Sequence, residues 1–377
     1  MTWVEVPFLQ ALRDVSGGNA KVPKSDFRDS GVLPVVDQGQ EKIAGYVDDL
    51  DLAQCNELPV IVFGDHTRCF KYIDFPFALG ADGVKVLAAA DGFDPRYLFW
   101  FLTSLDIPSA GYSRHYKYLK EFSVAKPPLA EQERIVAVLD QVESLRAKRR
   151  EAIVLLDDLA QSIFLDMFGN PATNPKDVPV VKISDISRVG TGATPRRDDR
   201  SNYGGGIPWV KTGEVSGGVI QETEESISEP ALSGSNCQVY PTGSIVVAMY
   251  GQGKTRGQCA RLGVPAATNQ ACAVLQPGSQ VDGEFLFRQL LFSYDRLRGL
   301  GRGGNQENLN LALVREFPVL LPHLDEQREY VRAIAEMEAM RDRYVTHLAT
   351  LDELFTSLQH RAFSGTLWDH EVTGDAA

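Results

Sequence analysis

In this 377-residue chain, the side chains suited to binding a phosphate or a nucleotide base sit in short stretches bounded by glycine and proline. In the second half they are Thr191, Arg196, Arg197 and Arg200, then Tyr250, Lys254, Thr255 and Arg256, then Arg302, Asn305 and Gln306. In the first half they are Lys21, Lys24, His66, Arg68, Arg114, His115 and Lys117. An arginine fork can pair bidentately with guanine and an Asn or Gln amide with adenine, while Lys and Thr suit phosphate oxygens. The run Gly251-Gln252-Gly253-Lys254-Thr255 approaches a nucleotide-binding phosphate loop. That loop needs glycine where Ala248 stands and an apolar helix where Arg256-Gly257 follows. A strand-end loop touching phosphates or bases is the better reading.

Sets of residues for bond making are missing from the pattern. The six histidines (His66, His115, His323, His347, His360, His370) have no metal-ligand spacing, and no G-x-S-x-G occurs. The five cysteines (Cys55, Cys69, Cys237, Cys259, Cys272) are odd in number and form no C-x-x-C. No catalytic residue, metal or cofactor is expected. Met1-Thr2-Trp3-Val4-Glu5 is no basic region before an apolar run, and no stretch approaches about 18 uninterrupted apolar residues. The expectation is a reduced, cytoplasmic protein without a membrane partner. Its net charge of -12 is uneven: residues 1–126, 127–170, 171–322 and 323–377 carry -4, -3, +1 and -6. The nearly balanced globular parts allow a local basic face.

The elements that must position these loops are written twice. Pro128-Leu129-Ala130-Glu131-Gln132 matches His323-Leu324-Asp325-Glu326-Gln327 at an offset of 195 residues, which holds for about forty positions. An apolar seam at alternating three and four spacing runs Ile135, Val138, Val142, Leu145, Arg149, Ala152, Leu156, Leu159, Ile163. Its copy runs Tyr330, Ala333, Met337, Met340, Tyr344, His347, Leu351, Leu354, Leu358. This spacing predicts two long helices packed on each other, from about Pro127 to Phe168 and from after Pro322 to near Gly365. A snorkelling Arg149 over the Tyr344 ring is plausible, with solvent exposure as the simpler alternative. Gly169-Asn170-Pro171 stops the first helix.

Before each helix the pattern is mixed α/β. Strands are expected at Leu58 to Phe63, Val84 to Ala89, Ser244 to Met249 and Ala271 to Leu275, with short helices at Pro95 to Leu102 and Gly283 to Leu291. Val6-Pro7 aligns with Val178-Pro179 at an offset of 172, and Leu33 to Gly39 with Ile207 to Gly213 at 174. The drift from 174 to 195 means that about 21 residues of loop length differ between the copies.

This order of globular domain, turn, long helix, globular domain, turn, long helix resembles the specificity subunit of Type I restriction-modification systems over essentially the whole chain. Pro127-Pro128-Leu129-Ala130-Glu131-Gln132-Glu133-Arg134-Ile135-Val136 carries the family's central signature, and Gly303-Gly304-Asn305-Gln306-Glu307-Asn308-Leu309 resembles the segment preceding the second copy. His323 stands where a second proline is common, and Tyr112 to Tyr118 replaces a clear G-G-x-Q-x-N-L run in the first half.

The resemblance implies a non-catalytic subunit with two target recognition domains, 1–126 and 171–322, a central helix 127–170 and a C-terminal helix and tail 323–377. Each domain would read one half of a bipartite duplex DNA site through the loop residues named above. The two helices would pack antiparallel and fix the spacer. Two methyltransferase subunits and the restriction/translocase subunits would dock on this frame, and methylation would belong to another chain, since the N/D-P-P-Y/F-type motif is absent here. The alternatives are the specificity subunit of a Type IIB-like system and a coiled-coil scaffold that does not bind DNA.

Overall fold

The structure, a computed structural model, describes residues 3–53, 57–81, 83–109, 111, 113–251, 253–300 and 308–368, setting aside the side chains of Asp157 and Asp158. By contact the chain divides into two units, Met1–Glu151 with Tyr344–Ala377, and Ala152–Arg343. Each unit takes one globular portion and part of both long helices.

The first unit runs β1 (Val4–Pro7), α1 (Phe8–Ala11), β2 (Leu12–Asp14), β3 (Lys21–Val22), β4 (Leu33–Val36), β5 (Gly45–Val47), β6 (Val60–Gly64), β7 (Phe70–Ile73), β8 (Ala78–Gly80), β9 (Val84–Ala89), α2 (Pro95–Thr103), α3 (Tyr116–Leu119) and β10 (Ser123–Lys126), then enters α4 (Leu129–Phe168). Its sheets have strand orders β2-β9-β6-β7, β3-β8-β4-β5 and β1-β10.

The second unit runs β11 (Val180–Lys182), α5 (Ile183–Ile186), β12 (Ser187–Thr191), β13 (Tyr203–Val210), β14 (Val219–Ile220), β15 (Glu225–Ile227), α6 (Glu229–Ser233), β16 (Ile245–Ala248), β17 (Cys259–Leu262), β18 (Ala267–Thr268), β19 (Cys272–Pro277), α7 (Gly283–Phe292), α8 (Tyr294–Gly299), α9 (Leu311–Arg315) and β20 (Pro318–Leu320), then enters α10 (Leu324–Phe363). Here the orders are β12-β19-β16-β17-β14, β15-β13-β18 and β11-β20. The strands and short helices expected from periodicity are present within a few residues.

Strand register establishes the internal repeat element by element. Val35 pairs with Ala78 in one unit and Trp209 with Ala267 in the other, so the expected offset of 174 holds at β4 and β13. At the first strands the structure differs from the sequence alignment. Val6 faces Val124 and Val181 faces Val319, so Val6 corresponds to Val181 at 175, not to Val178. Val6-Pro7 closes β1 whereas Val178-Pro179 precedes β11, so the shared dipeptide does not mark the same register. Part of the loop-length difference lies in one hairpin. From Ile61 to Tyr72, which pair across the β6–β7 hairpin, is 11 residues; from Ile245 to Arg261, which pair across β16–β17, is 16.

In both units the motif glutamine fastens the globular part to its long helix. Asp94 caps α2, its Oδ1 accepting from Arg96 N (2.7 Å) and Tyr97 N (2.9 Å), with Pro95 in the first turn. The buried Gln132 side chain reaches this cap: its Oε1 accepts from Asp94 N (2.8 Å) and its Nε2 donates to Pro127 O (2.9 Å) and Gly92 O (3.0 Å). Asp282 caps α7 likewise, and buried Gln327 accepts from Asp282 N (2.8 Å) and donates to Pro322 O (2.8 Å).

The long helices pack antiparallel within each unit, where residue numbers fall on one as they rise on the other. In the first unit Arg149 lies over the Tyr344 ring (4.1 Å), Arg146 pairs with Asp352 (2.6 Å) and Arg134 lies over Trp368 (4.1 Å). In the second, Tyr330 makes edge contacts with Phe164 (5.5 Å) and Phe168 (5.7 Å). The seam shares Ile135, Val142, Leu156, Ile163, Tyr330, Met337, Tyr344, Leu351 and Leu358 with the expected one, all buried or half-buried. Between them it differs by one residue. Leu139, Ile334 and Phe355 are buried, whereas Leu145, Leu159, Met340 and Leu354 are 47%, 45%, 38% and 45% exposed, and Val138 is half-buried. Apolar residues stand side by side at Val138-Leu139, Leu159-Ala160 and Leu354-Phe355, so spacing admits both phases. In the first unit Trp100 of α2 meets Phe355 edge-on at 5.3 Å, which selects the phase observed there.

Candidate nucleic-acid interface

Among the described residues, most of the expected contact residues lie on or beside connections at one end of a sheet in each unit. In the second unit β12 ends at Thr191 opposite Ala273, β16 ends at Ala248 opposite Cys272, and β17 begins at Cys259 opposite Val247. The stretch from Thr191 to Arg200 and the hairpin connection carrying Tyr250, Lys254, Thr255 and Arg256 therefore leave the same sheet end. Gly192 allows this crossing, because a Cβ there would stand 1.7 Å from Thr268 O. Leu309 N donates to Met249 O (3.0 Å), bringing the chain just before α9 to the hairpin. Arg302, Asn305 and Gln306 lie outside the described residues.

The first unit repeats the arrangement. His115 N donates to Asp65 O (2.9 Å), the counterpart of the Leu309–Met249 bond. A cleft of about 490 Å³ at this end is lined by Asp14, Lys21, Asp65, Lys85 and Arg114, so Lys21 and Arg114 share one wall system with the hairpin that carries His66 and Arg68. Lys24, Arg114 and Lys117 are exposed, Lys24 beside β3 and Lys117 on α3 over the Tyr118 ring (4.8 Å).

Several of these side chains have structural duties. His115 is 1% exposed, with Nδ1 2.9 Å from Asp65 O. Arg68, at φ +63°, donates from Nη1 to Ile107 O (2.9 Å). Thr191 Oγ1 donates to Cys272 O (2.8 Å). Arg197 lies over Tyr203 (4.5 Å) and Trp209 (5.0 Å) and pairs with Glu225 (2.5 Å); this bond raises the arginine pKa and lowers that of Glu225. Arg196, Arg200, Tyr250 and Lys254 are exposed.

Sequence reasoning did not single out Lys85, Tyr294 or Arg298. Lys85 pairs with Asp14 (2.7 Å) and lies over Tyr116 (4.9 Å) beside the cleft. Burial pushes the Asp14 carboxyl up, but hydrogen bonds from Lys85 and Ser16 outweigh it and hold the carboxyl below its ordinary value. That contribution is present at neutral pH and lost as pH falls through the folded-state value. Lys85 alternates with buried residues in β9, which is the one signal spacing offered; Tyr294 and Arg298 gave none. Among the described residues no group of three or more His, Cys, Asp or Glu could hold a metal ion, and no helix is long and apolar enough to cross a membrane.

Residues 175–342 match the family model for the Type I restriction modification DNA specificity domain. The chain is 22% identical over 336 residues to the Type I restriction enzyme EcoR124I/EcoR124II specificity subunit of Escherichia coli, covering 85% of this chain and 82% of that one. It is 25% identical over 203 residues to the Type I restriction enzyme MjaIX specificity subunit of Methanocaldococcus jannaschii, covering 52% and 45%. In fold it is similar to the S subunit of a Type I restriction-modification system from M. genitalium, with a TM-score of 0.59, 14% identity and 96% of each chain covered. A chain from a structure of type I R-M complex assembly and conformational transition gives a TM-score of 0.61 at 16% identity, covering 97% and 98%.

Proposed function

We propose that this chain, a member of the family of Type I restriction-modification specificity subunits, reads a bipartite duplex DNA target and leaves bond chemistry to other chains. One observation carries the reading: the same sheet end, with the same hairpin and the same backbone tie at Asp65 and Met249, occurs once in each unit. Two similar but differently furnished reading ends suit two different half-sites. On this reading residues 1–126 and 171–322 are the target recognition domains, and 127–170 and 323–377 are the helical frame. Lys24, Arg114, Lys117, Arg196, Arg200, Tyr250 and Lys254, exposed on these units, supply the contacts to base edges and phosphates. A local basic edge is enough for this, because phosphate neutralisation depends on the cations at the groove and not on the net charge of -12.

Each long helix of 40 residues is about 60 Å long. Half-sites on one face of the duplex recur about every 34 Å. The helix pair is thus on the scale needed to fix a spacer. Leu145, Leu159, Met340 and Leu354, exposed on these helices, favour protein partners there: two methyltransferase subunits, with restriction subunits joining for cleavage, in the cytoplasm.

The test is methylation mapping of DNA from cells expressing the chain with its cognate methyltransferase subunit, against cells lacking it. A bipartite motif with fixed spacing that disappears without the chain is the expected result. Absence of any chain-dependent motif, from an active and assembled methyltransferase, would favour a protein scaffold instead. A Type IIB-like enzyme would give the same motif and differ in carrying its nuclease on the methyltransferase chain.

A further inference from the structure

The second unit's longer hairpin is matched by a second enlargement that touches it. From the cap Asp94 to His115 is 21 residues, and from the equivalent Asp282 to Leu309 is 27, an increase that contains α8. Two side chains of α8 hold the hairpin by its backbone. Tyr294 Oη donates to Lys254 O (2.8 Å), and Arg298 Nη1 donates to Arg256 O (3.3 Å) and to Tyr294 Oη (3.1 Å). Gly257, at φ +86°, packs so closely on α8 that a Cβ would stand 3.1 Å from Arg298 N. The carbonyls on either side of Thr255 are thereby committed to α8, while Lys254 stays exposed. The first unit ties its shorter hairpin in the opposite sense, from Arg68 on the loop to Ile107 O.

We propose that Tyr294 and Arg298 are positioning residues for sequence reading by the second unit, fixing the backbone from Lys254 to Arg256 so that its side chains meet the bases in one register. Base discrimination depends on holding donors and acceptors to a narrow geometry, whereas phosphate attraction tolerates movement. Loosening the tie therefore erodes discrimination at one half-site and leaves general DNA affinity in place. This rests on the bipartite reading above.

The experiment uses the full chain assembled with its methyltransferase partner, after the wild-type motif has been mapped. Methylation rates are measured on the cognate duplex and on duplexes altered in one half-site at a time, for wild type, Tyr294→Phe, Arg298→Ala and Arg298→Lys. For Tyr294→Phe and Arg298→Ala, the preference for the cognate over the altered form of the half-site read by this unit is expected to fall about 3- to 10-fold, the scale of one or two lost hydrogen bonds at a partly exposed tie. Preference at the other half-site should stay at its wild-type value, the unfolding midpoint should fall only slightly because the lost bonds are exposed or part-buried, and Arg298→Lys, which keeps a donor, should recover most of the loss. Unchanged preference in both Tyr294→Phe and Arg298→Ala overturns the proposal, as does an equal loss at both half-sites. A wild-type chain without a bipartite motif overturns the reading of function itself.

Discussion

A side chain's type states what it can bind, and its neighbours decide what it does bind. Arg197 looks in sequence like its neighbours Arg196 and Arg200, yet it is stacked on two rings and paired with Glu225 from 28 residues away. Partners that distant cannot be read from spacing, which is why the exposed arginines were legible as candidates but not sortable. Gln132 and Gln327 show the converse. Their motif was plain, but their role as amide clamps on the Asp94 and Asp282 caps needed the fold. Gln132→Ala and Gln327→Ala should each cost at least about 2 kcal/mol, because buried backbone groups lose their partners; a chemical denaturation midpoint checks this. Gln132→Glu keeps the acceptor for Asp94 N, loses both donors, and should also be destabilised. The thiols give a second residue-scale prediction. Burial pushes Cys259 and Cys272 up to about 12, while Cys69 is half-exposed. At pH 8 a maleimide should label Cys69 in the native chain and reach Cys259 and Cys272 only after unfolding, as peptide mapping would reveal.

Among the elements, the long helices were the most legible and their seam the least. Their extents follow from proline before and glycine after: α4 ends at Phe168 before Gly169 (φ +75°), and α10 ends at Phe363 before Gly365 (φ +76°). The phase between neighbouring apolar residues is set by tertiary contact. Leu139→Ala, at a fully buried position, should cost about 2 to 5 kcal/mol. Leu145→Ala, on the exposed side, should change stability by less than about 0.5 kcal/mol. Equal effects in a thermal melt would mean that the seam runs elsewhere. Arg149 and Tyr344 occupy equivalent positions in the two copies and face each other at 4.1 Å, so each meets its own counterpart. A double-mutant cycle on Arg149→Ala and Tyr344→Ala should return a coupling of about 0.5 to 2 kcal/mol, and the exchange Arg149→Tyr with Tyr344→Arg should restore most of it.

Across the whole chain the two copies keep strict register in the helices and vary in the loops. If the helices fix the spacer, deleting seven residues from both shortens each by about 10 Å, the rise of about three base pairs. The methylated motif should then lose about three base pairs of spacer with both half-sites unaltered; an unchanged spacer would sink the ruler idea. Both globular portions join their long helix by the same strand pairing, at Phe8 with Phe122 and at Ile183 with Phe317, and by the same glutamine clamp. The fastening is therefore a common plug and socket. A globular portion from elsewhere that brings the matching strand pair and an aspartate-capped helix could be spliced in between Val4 and Pro127, or between Val180 and Pro322, and on the reading proposed above a new target specificity would arise by recombination at two short junctions while the helices proposed to dock the partners stayed untouched.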